Sequence, residues 1–395
     1  MLITNVGELV TNASGRPGEL GVIADAAVAI ADGAIQWAGP QDDLPERYRH
    51  AETLDAAGGA VLPGFVDAHT HLVFGGDRAD EFARRLRGES YEQILAAGGG
   101  IHSTVAATRE ASFDALVSEA TARLDRMLGG GATTVEAKSG YGLTTAAEVR
   151  ILEATIAAGE RSAVDVMPTF LAHVPDRGVD GEAFTLLVID EMLPACAPLA
   201  RFCDVFCDRG AFTVSQAERI LHAAAERGLR ARLHAEQLTH TGAAALAAEL
   251  GAVSADHLDH ATPEDAAALA AAGVVAVLLP AASFSMRTAQ APARMLWDAG
   301  VTVALATDCN PGTSNVESMG LVIALGSLEM GLTPEEALWA ATRGGALAVE
   351  LPDRGSIVPG AIADLVVLDA PSYRHIPYRP GTNLVRMVVK GGEVV

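Results

Sequence analysis

The stretch Pro63-Gly64-Phe65-Val66-Asp67-Ala68-His69-Thr70-His71 ends an apolar run with two histidines two positions apart. On a strand, residues i and i+2 project from one face, so both imidazoles converge. Two neutral imidazoles on one face are half of a divalent-metal site. Three more apolar runs end in a metal-binding side chain: Arg232-Leu233-His234, Ala255-Asp256-His257 and Ala306-Thr307-Asp308. His69, His71, His234 and Asp308 make a plausible mononuclear site for zinc or iron, where the ion would acidify a water. A histidine pair alone is equally well explained as two surface residues at a strand end. It is the full set that favours metal.

These residues need a scaffold that brings distant strand ends to one rim. Eight β-rich runs, 61–67, 132–138, 165–171, 202–208, 230–235, 252–257, 273–279 and 301–307, alternate with alanine-rich helical stretches such as Ala261 to Ala272. Eightfold strand–helix alternation predicts a parallel (β/α)8 TIM barrel, with its chemistry at the C-terminal strand ends. Both termini read as all-β. The expectation is a small β-sandwich formed by residues 1–58 and 355–395, beside a barrel of residues 59–354.

Composition excludes several roles. The chain has 395 residues, a net charge of −22 and a pI near 4.8, which argues against nucleic acid or an anionic membrane as partner. Cys196, Cys203, Cys207 and Cys309 form no CxxC pair and are expected as buried free thiols in a reducing compartment. No basic leader and no apolar run of membrane-spanning length is present, so a cytoplasmic protein is expected. The glycines at 98–100 are expected to hinge a loop at the barrel mouth, and those at 129–131 to end a helix.

The PGFVDAHTH motif with His234, His257 and Asp308 resembles the amidohydrolase superfamily. More specific stretches resemble the imidazolonepropionase family within it. They are His71-Leu72-Val73-Phe74-Gly75-Gly76-Asp77-Arg78, Ala96-Ala97-Gly98-Gly99-Gly100-Ile101, Glu136-Ala137-Lys138-Ser139-Gly140-Tyr141-Gly142-Leu143, Thr169-Phe170-Leu171-Ala172-His173 and Thr307-Asp308-Cys309-Asn310-Pro311-Gly312-Thr313. The likeness covers nearly the whole chain. It implies hydrolysis of 4-imidazolone-5-propanoate to N-formimidoyl-L-glutamate in histidine degradation, by a homodimer with one metal per chain.

Residue roles follow from the chemistry and the match together. Asp308 would touch the metal and take the water's proton, then deliver it to the leaving nitrogen. His257, surplus to a four-ligand set, would orient the water or stabilise the developing oxyanion. The small anionic heterocyclic substrate needs a cation for its propanoate, and Arg78 can grip a carboxylate with its planar fork. A surface pair with Asp77 or Asp80 is the alternative for Arg78. The match also puts Tyr141, His173, Gln237, Asn310, Gly312 and Thr313 at substrate-contacting positions, and, less specifically, Tyr91.

Gln237 stands where deaminase-like relatives place a proton-shuttling Glu, and an amide cannot shuttle a proton. It is therefore expected to contact the ring, with Glu236 as the neighbouring alternative. Lys138 ends the second barrel strand, not the fourth, where some relatives carry a metal-bridging carboxylated lysine. It is expected to pair with Glu136 or to support Tyr141. The competing functional readings are another deaminase or deiminase of a nitrogen heterocycle, which Gln237 disfavours, and a catalytically silent scaffold, which the complete ligand set disfavours.

Overall fold

A computed structural model describes residues 1–89, 93 and 99–395. Its centre is a sheet of eight parallel strands in sequential order: β6 (Phe65–Asp67), β7 (Ala132–Lys138), β8 (Asp165–Ala172), β9 (Phe202–Cys207), β10 (Arg230–Ala235), β11 (Ser254–His257), β12 (Val275–Leu278) and β13 (Val303–Leu305). Helices join successive strands. Several start where the sequence supplies a capping side chain: Ser112, Thr144, and the reciprocal boxes Thr213–Gln216, Thr262–Asp265 and Thr333–Glu336. The eight expected barrel strands are all present. The helix over 113–129 stops at the 129–131 glycines, with Gly130 as its C-cap.

The first and eighth strands meet just past their C-terminal ends. Thr70 bridges Cys309 in parallel, the His71 amide donates to the Cys309 carbonyl at 2.9 Å, and the Asp308 amide donates to the His69 carbonyl at 3.0 Å. Asp67 takes both the Thr307 amide (2.9 Å) and its hydroxyl (2.6 Å). Closure therefore occurs at the rim that carries the histidines.

Both termini join one eight-stranded sheet among the described residues. It contains β1 (Leu2–Val10), β2 (Val22–Ala31), β3 (Ala34–Pro40), β4 (Thr53–Asp55), β5 (Ala60–Pro63), β14 (Leu365–Leu368), β15 (Val385–Lys390) and β16 (Glu393–Val394). Residues from distant strands, such as Ile30, Ile35, Val367 and Val389, share one apolar core, so the sheet folds over on itself. The run expected as a single strand over 61–67 is divided. Its first half, β5, pairs with β1 and β14, and its second half, β6, pairs with β7. Gly64 makes the crossing, because a Cβ there would overlap Thr133 Oγ1.

The barrel interior is two-sided in character. One part is apolar, with Val66, Ala68, Val275, Val277, Ala304 and Ala306. The other holds Glu136, Lys138, Asp204, Arg232 and Asp256, each 0 % exposed. Alternation explains this placement: Arg232 and His234, or Glu136 and Lys138, occupy inward positions two residues apart on one strand.

Candidate metal centre and active site

Four histidines converge at the closed rim. The His69 ring lies 5.4 Å from His71 and 4.6 Å from His234, centre to centre, and His257 is 5.2 Å from His234. Asp308 Oδ1 is 3.6 Å from His69 Nε2 and 3.4 Å from His71 Nε2. His69, His71 and His234 can each bring a ligand atom within 4.8 Å of the others, and so can His69, His257 and Asp308. The four expected ligands thus come together, with His257 beside them.

The donors fit a divalent cation. His69 Nε2 and His71 Nδ1 are buried without a hydrogen-bond partner, an arrangement that costs free energy unless something else binds there. Burial holds His69 and His71 well below the ordinary histidine range, so both imidazoles are neutral, as ligation requires. Beneath them, the formal charges of Glu136, Asp204 and Asp256 exceed those of Lys138 and Arg232 by one, and Asp308 adds a second negative charge. A bound cation would offset this excess of negative charge.

The same charged layer orients the ligands. His69 Nδ1 lies 2.6 Å from Asp256 Oδ2, and His234 Nδ1 lies 3.1 Å from Asp204 Oδ2. Asp256 hydrogen-bonds His69 Nδ1 and Asp204 lies against His234 Nδ1 at ion-pair distance, which leaves each Nε2 for a cation. Asp256 is held by Arg232 Nη2 (3.2 Å) and the Ser254 hydroxyl (2.5 Å), and Asp204 by Lys138 Nζ (2.8 Å). Lys138 also meets Glu136 at 2.9 Å, as expected from the sequence. Burial works against the Lys138 ammonium, but Asp204 and Glu136 outweigh it and keep its pKa above the usual lysine value. The sequence reading missed Asp204, Asp256 and Arg232 as supporting groups. Their signal was a charged residue inside an apolar strand, at the inward position. Asp256→Asn and Asp204→Asn are each expected to weaken metal binding roughly 10- to 100-fold. Competition against a chelator of known affinity measures this, and unchanged affinity would reduce both residues to space-filling.

Asp308 and His257 sit on left-handed backbone, with φ of 52° and 75°. Non-glycine residues rarely adopt this, and such strain persists where the surroundings enforce it. At His257 the φ turns the ring from strand alternation toward the other histidines. Burial drives His257 down to about 3, so it is a neutral donor and acceptor near pH 7. Burial raises the Asp308 pKa, against the opposing pull of His257 and His234, which makes its carboxylate a better base. Its second oxygen, Oδ2, is 3.4 Å from the Thr313 hydroxyl.

Most of the expected substrate contacts surround this centre. Tyr141 and His173 flank His71, with ring centres at 5.8 and 5.6 Å. Tyr141 rides on a loop that Glu148 cradles, accepting the amides of Gly140, Gly142 and Leu143 at 2.7–2.8 Å. Asn310 Oδ1 takes the amides of Gly312 and Thr313, both at 2.8 Å, which folds the segment after the eighth strand into a tight turn. Arg78 lies against Gly312 and faces Tyr141 electrostatically. Its ion-pair partner is Glu81, so the surface pair with Asp77 or Asp80 does not form. Gln237 is half-buried in the loop after β10, which Asp208 fastens through the amides of Leu238 and Thr239.

Glu236 is excluded as the alternative ring contact. Its φ of 53° turns it away, and its carboxylate accepts the amides of Thr241, Gly242 and Ala244 at the start of the helix over 243–250. Tyr91 and Gly98 lie outside the described residues. All four cysteines are free and buried. No helix among the described residues is long and apolar enough to cross a membrane.

A family model described as the amidohydrolase family matches residues 77–395. An imidazolonepropionase from Haloarcula marismortui is 48% identical over 403 residues, covering 100% of this chain and 95% of its own. One from Mycolicibacterium smegmatis is also 48% identical, covering 100% and 97%. One from Halobacterium salinarum is 50% identical, covering 98% and 95%. Among solved structures, a zinc-complexed variant of atrazine chlorohydrolase from Arthrobacter aurescens superposes with a TM-score of 0.77 at 20% identity, covering 100% of this chain and 94% of that one. A zinc-bound adenosine deaminase from Xanthomonas campestris gives 0.75 at 21% identity, covering 100% and 92%. The likeness to these two is one of fold.

Proposed function

The chain belongs to the imidazolonepropionases of the amidohydrolase family, and we propose that His69, His71, His234 and Asp308 hold the single metal ion its reaction needs. The enzyme hydrolyses imidazolone propanoate in histidine degradation, opening the ring to N-formimidoyl-L-glutamate. Its cofactor is a divalent metal. Imidazole and carboxylate donors accept zinc and iron alike. When bound, the ion supplies Lewis acidity, which acidifies water and polarises a carbonyl.

The protein's own groups do the rest. Asp308 takes a proton from the attacking water and returns it to the ring nitrogen as the C–N bond breaks. Its position supports this, with one oxygen toward the histidines and the other toward Thr313. Neutral His257 orients the water through a hydrogen bond. Tyr141 stays protonated, because burial raises its pKa, and it donates to the substrate while His173 packs beside the ring. Gln237 holds the ring through its amide. Asn310, Gly312 and Thr313 form the turn against which the substrate rests, and Arg78 grips the propanoate. The resemblance supports a homodimer in the cytoplasm.

One observation carries this reading: a guanidinium, a tyrosine and a histidine line the same rim as the metal donors. Arg78→Ala is expected to raise KM for imidazolone propanoate roughly 10- to 100-fold, the cost of losing a charge-assisted hydrogen bond, with a smaller change in kcat. The measurement is an ultraviolet assay of freshly generated imidazolone propanoate with metal-analysed protein. An unchanged KM would remove Arg78 from the substrate site, and no turnover by the metal-loaded wild type would overturn the reaction assignment.

A further inference from the structure

The guanidinium of Arg78 is held on two sides. Glu81 Oε1 accepts from its Nε at 3.1 Å and from its Nη2, while Glu81 Oε2 takes the Gly100 amide at 2.8 Å. Both side chains are largely buried, 14% and 15% exposed, so this is not a solvated surface pair. On the other side Arg78 Nη1 lies against the α-carbon of Gly312, where any Cβ would overlap it. Gly312 has ordinary backbone geometry, since it is absent from the positive-φ residues; its smallness is needed for space.

An arginine can bind a carboxylate side-on through Nε and Nη2, or end-on through Nη1 and Nη2. Glu81 occupies the side edge. Among the described residues the end-on edge is the one left open, and Gly312 sets where that edge lies, in the turn whose Asn310 and Thr313 contact Asp308. We propose that Glu81 is a positioning residue for Arg78, and that Glu81 and Gly312 together aim its end-on edge at the substrate's carboxylate. The enzyme thereby selects imidazolones with an anionic side chain of fixed reach. This rests on the reading of Arg78 as the propanoate-binding group.

The test is steady-state kinetics on the metal-loaded enzyme with Glu81→Gln, Gly312→Ala, Arg78→Ala and the double variant Arg78→Ala/Glu81→Gln. The substrates are imidazolone propanoate and an ethyl-imidazolone lacking the carboxylate. Glu81→Gln is expected to raise KM for the propanoate about tenfold, with kcat within about twofold, and Gly312→Ala to raise that KM by at least as much. Glu81→Gln should leave KM for the uncharged analogue unchanged, whereas Gly312→Ala, which lies in the turn against which the substrate rests, should raise it less than it raises KM for the propanoate. Once Arg78 is gone, adding Glu81→Gln should change KM by less than about twofold, because the two act as one device. Equal effects on both substrates, or effects that multiply in the double variant, would overturn the proposal. If Arg78→Ala leaves KM unchanged while the wild type turns over, the carboxylate reading fails first and the proposal falls with it. If Glu81→Gln does not fold, Gly312→Ala decides the question alone.

Discussion

Asp308→Asn is expected to lower kcat by at least the ~10²–10⁴ attributed to general acid–base catalysis. Asn keeps the size and one oxygen but cannot accept and return a proton. Asp308 is buried, its basicity is raised by that burial, and it bridges the histidines and the substrate turn through its two oxygens. Among the described residues, Asp204 and Asp256 are engaged below the histidines, Glu236 caps a helix, and Asp259 lies 3.7 Å from His257 Nδ1 rather than against the His69–His71 pair. Gln237→Ala is the contrast. It should leave the metal bound and activity measurable, since a neutral amide cannot be the indispensable acid. Measuring kcat against pH, with metal content, for both variants decides between them. An active Asp308→Asn beside a dead Gln237→Ala that still binds metal and substrate would reverse the two roles.

The second large effect concerns the histidines. His69→Ala, His71→Ala and His234→Ala should each lose most bound metal and reduce activity at least about a thousandfold, because several kcal/mol of transition-state stabilisation leaves with the ion. The barrel should remain folded, since its apolar core does not run through these rings. Its melting temperature should become insensitive to added metal, whereas wild-type stability should rise with metal concentration. Elemental analysis, circular dichroism and melting curves check each part. Full metal occupancy with near-normal turnover in all three variants would remove the assignment. A loss of metal from His69→Ala alone would mean that the other two histidines face the substrate instead.

Much of this was legible from residue type and period. Apolar runs that end in His69, His71, His234, His257 and Asp308 required strands, and eight alternations with helices required a barrel whose rim would collect those ends. Period-two alternation assigned each residue to a face, because neighbouring Cβ atoms on a strand point oppositely. The resemblance then indicated Arg78, Tyr141, His173 and the turn over 310–313, and the structure brings all of them to the rim.

What alternation leaves open is the partner across the barrel. Asp256 and His69 are 187 residues apart, and only closure of β6 against β13 at the rim brings them to 2.6 Å. The division of the 61–67 run at Gly64 depended on Thr133, a neighbour from another strand, and left-handed backbone at Glu236 and His257 sent adjacent residues in directions that a continuing strand would not. The sequence by itself determined the strand–helix alternation, the residue types that gather at the rim and the family. The tertiary structure decided which carboxylate holds which histidine, that Glu236 caps a helix, and that Glu81 rather than Asp77 or Asp80 meets Arg78, because contacts between distant strands and loops are set by closure and packing, which no local pattern encodes.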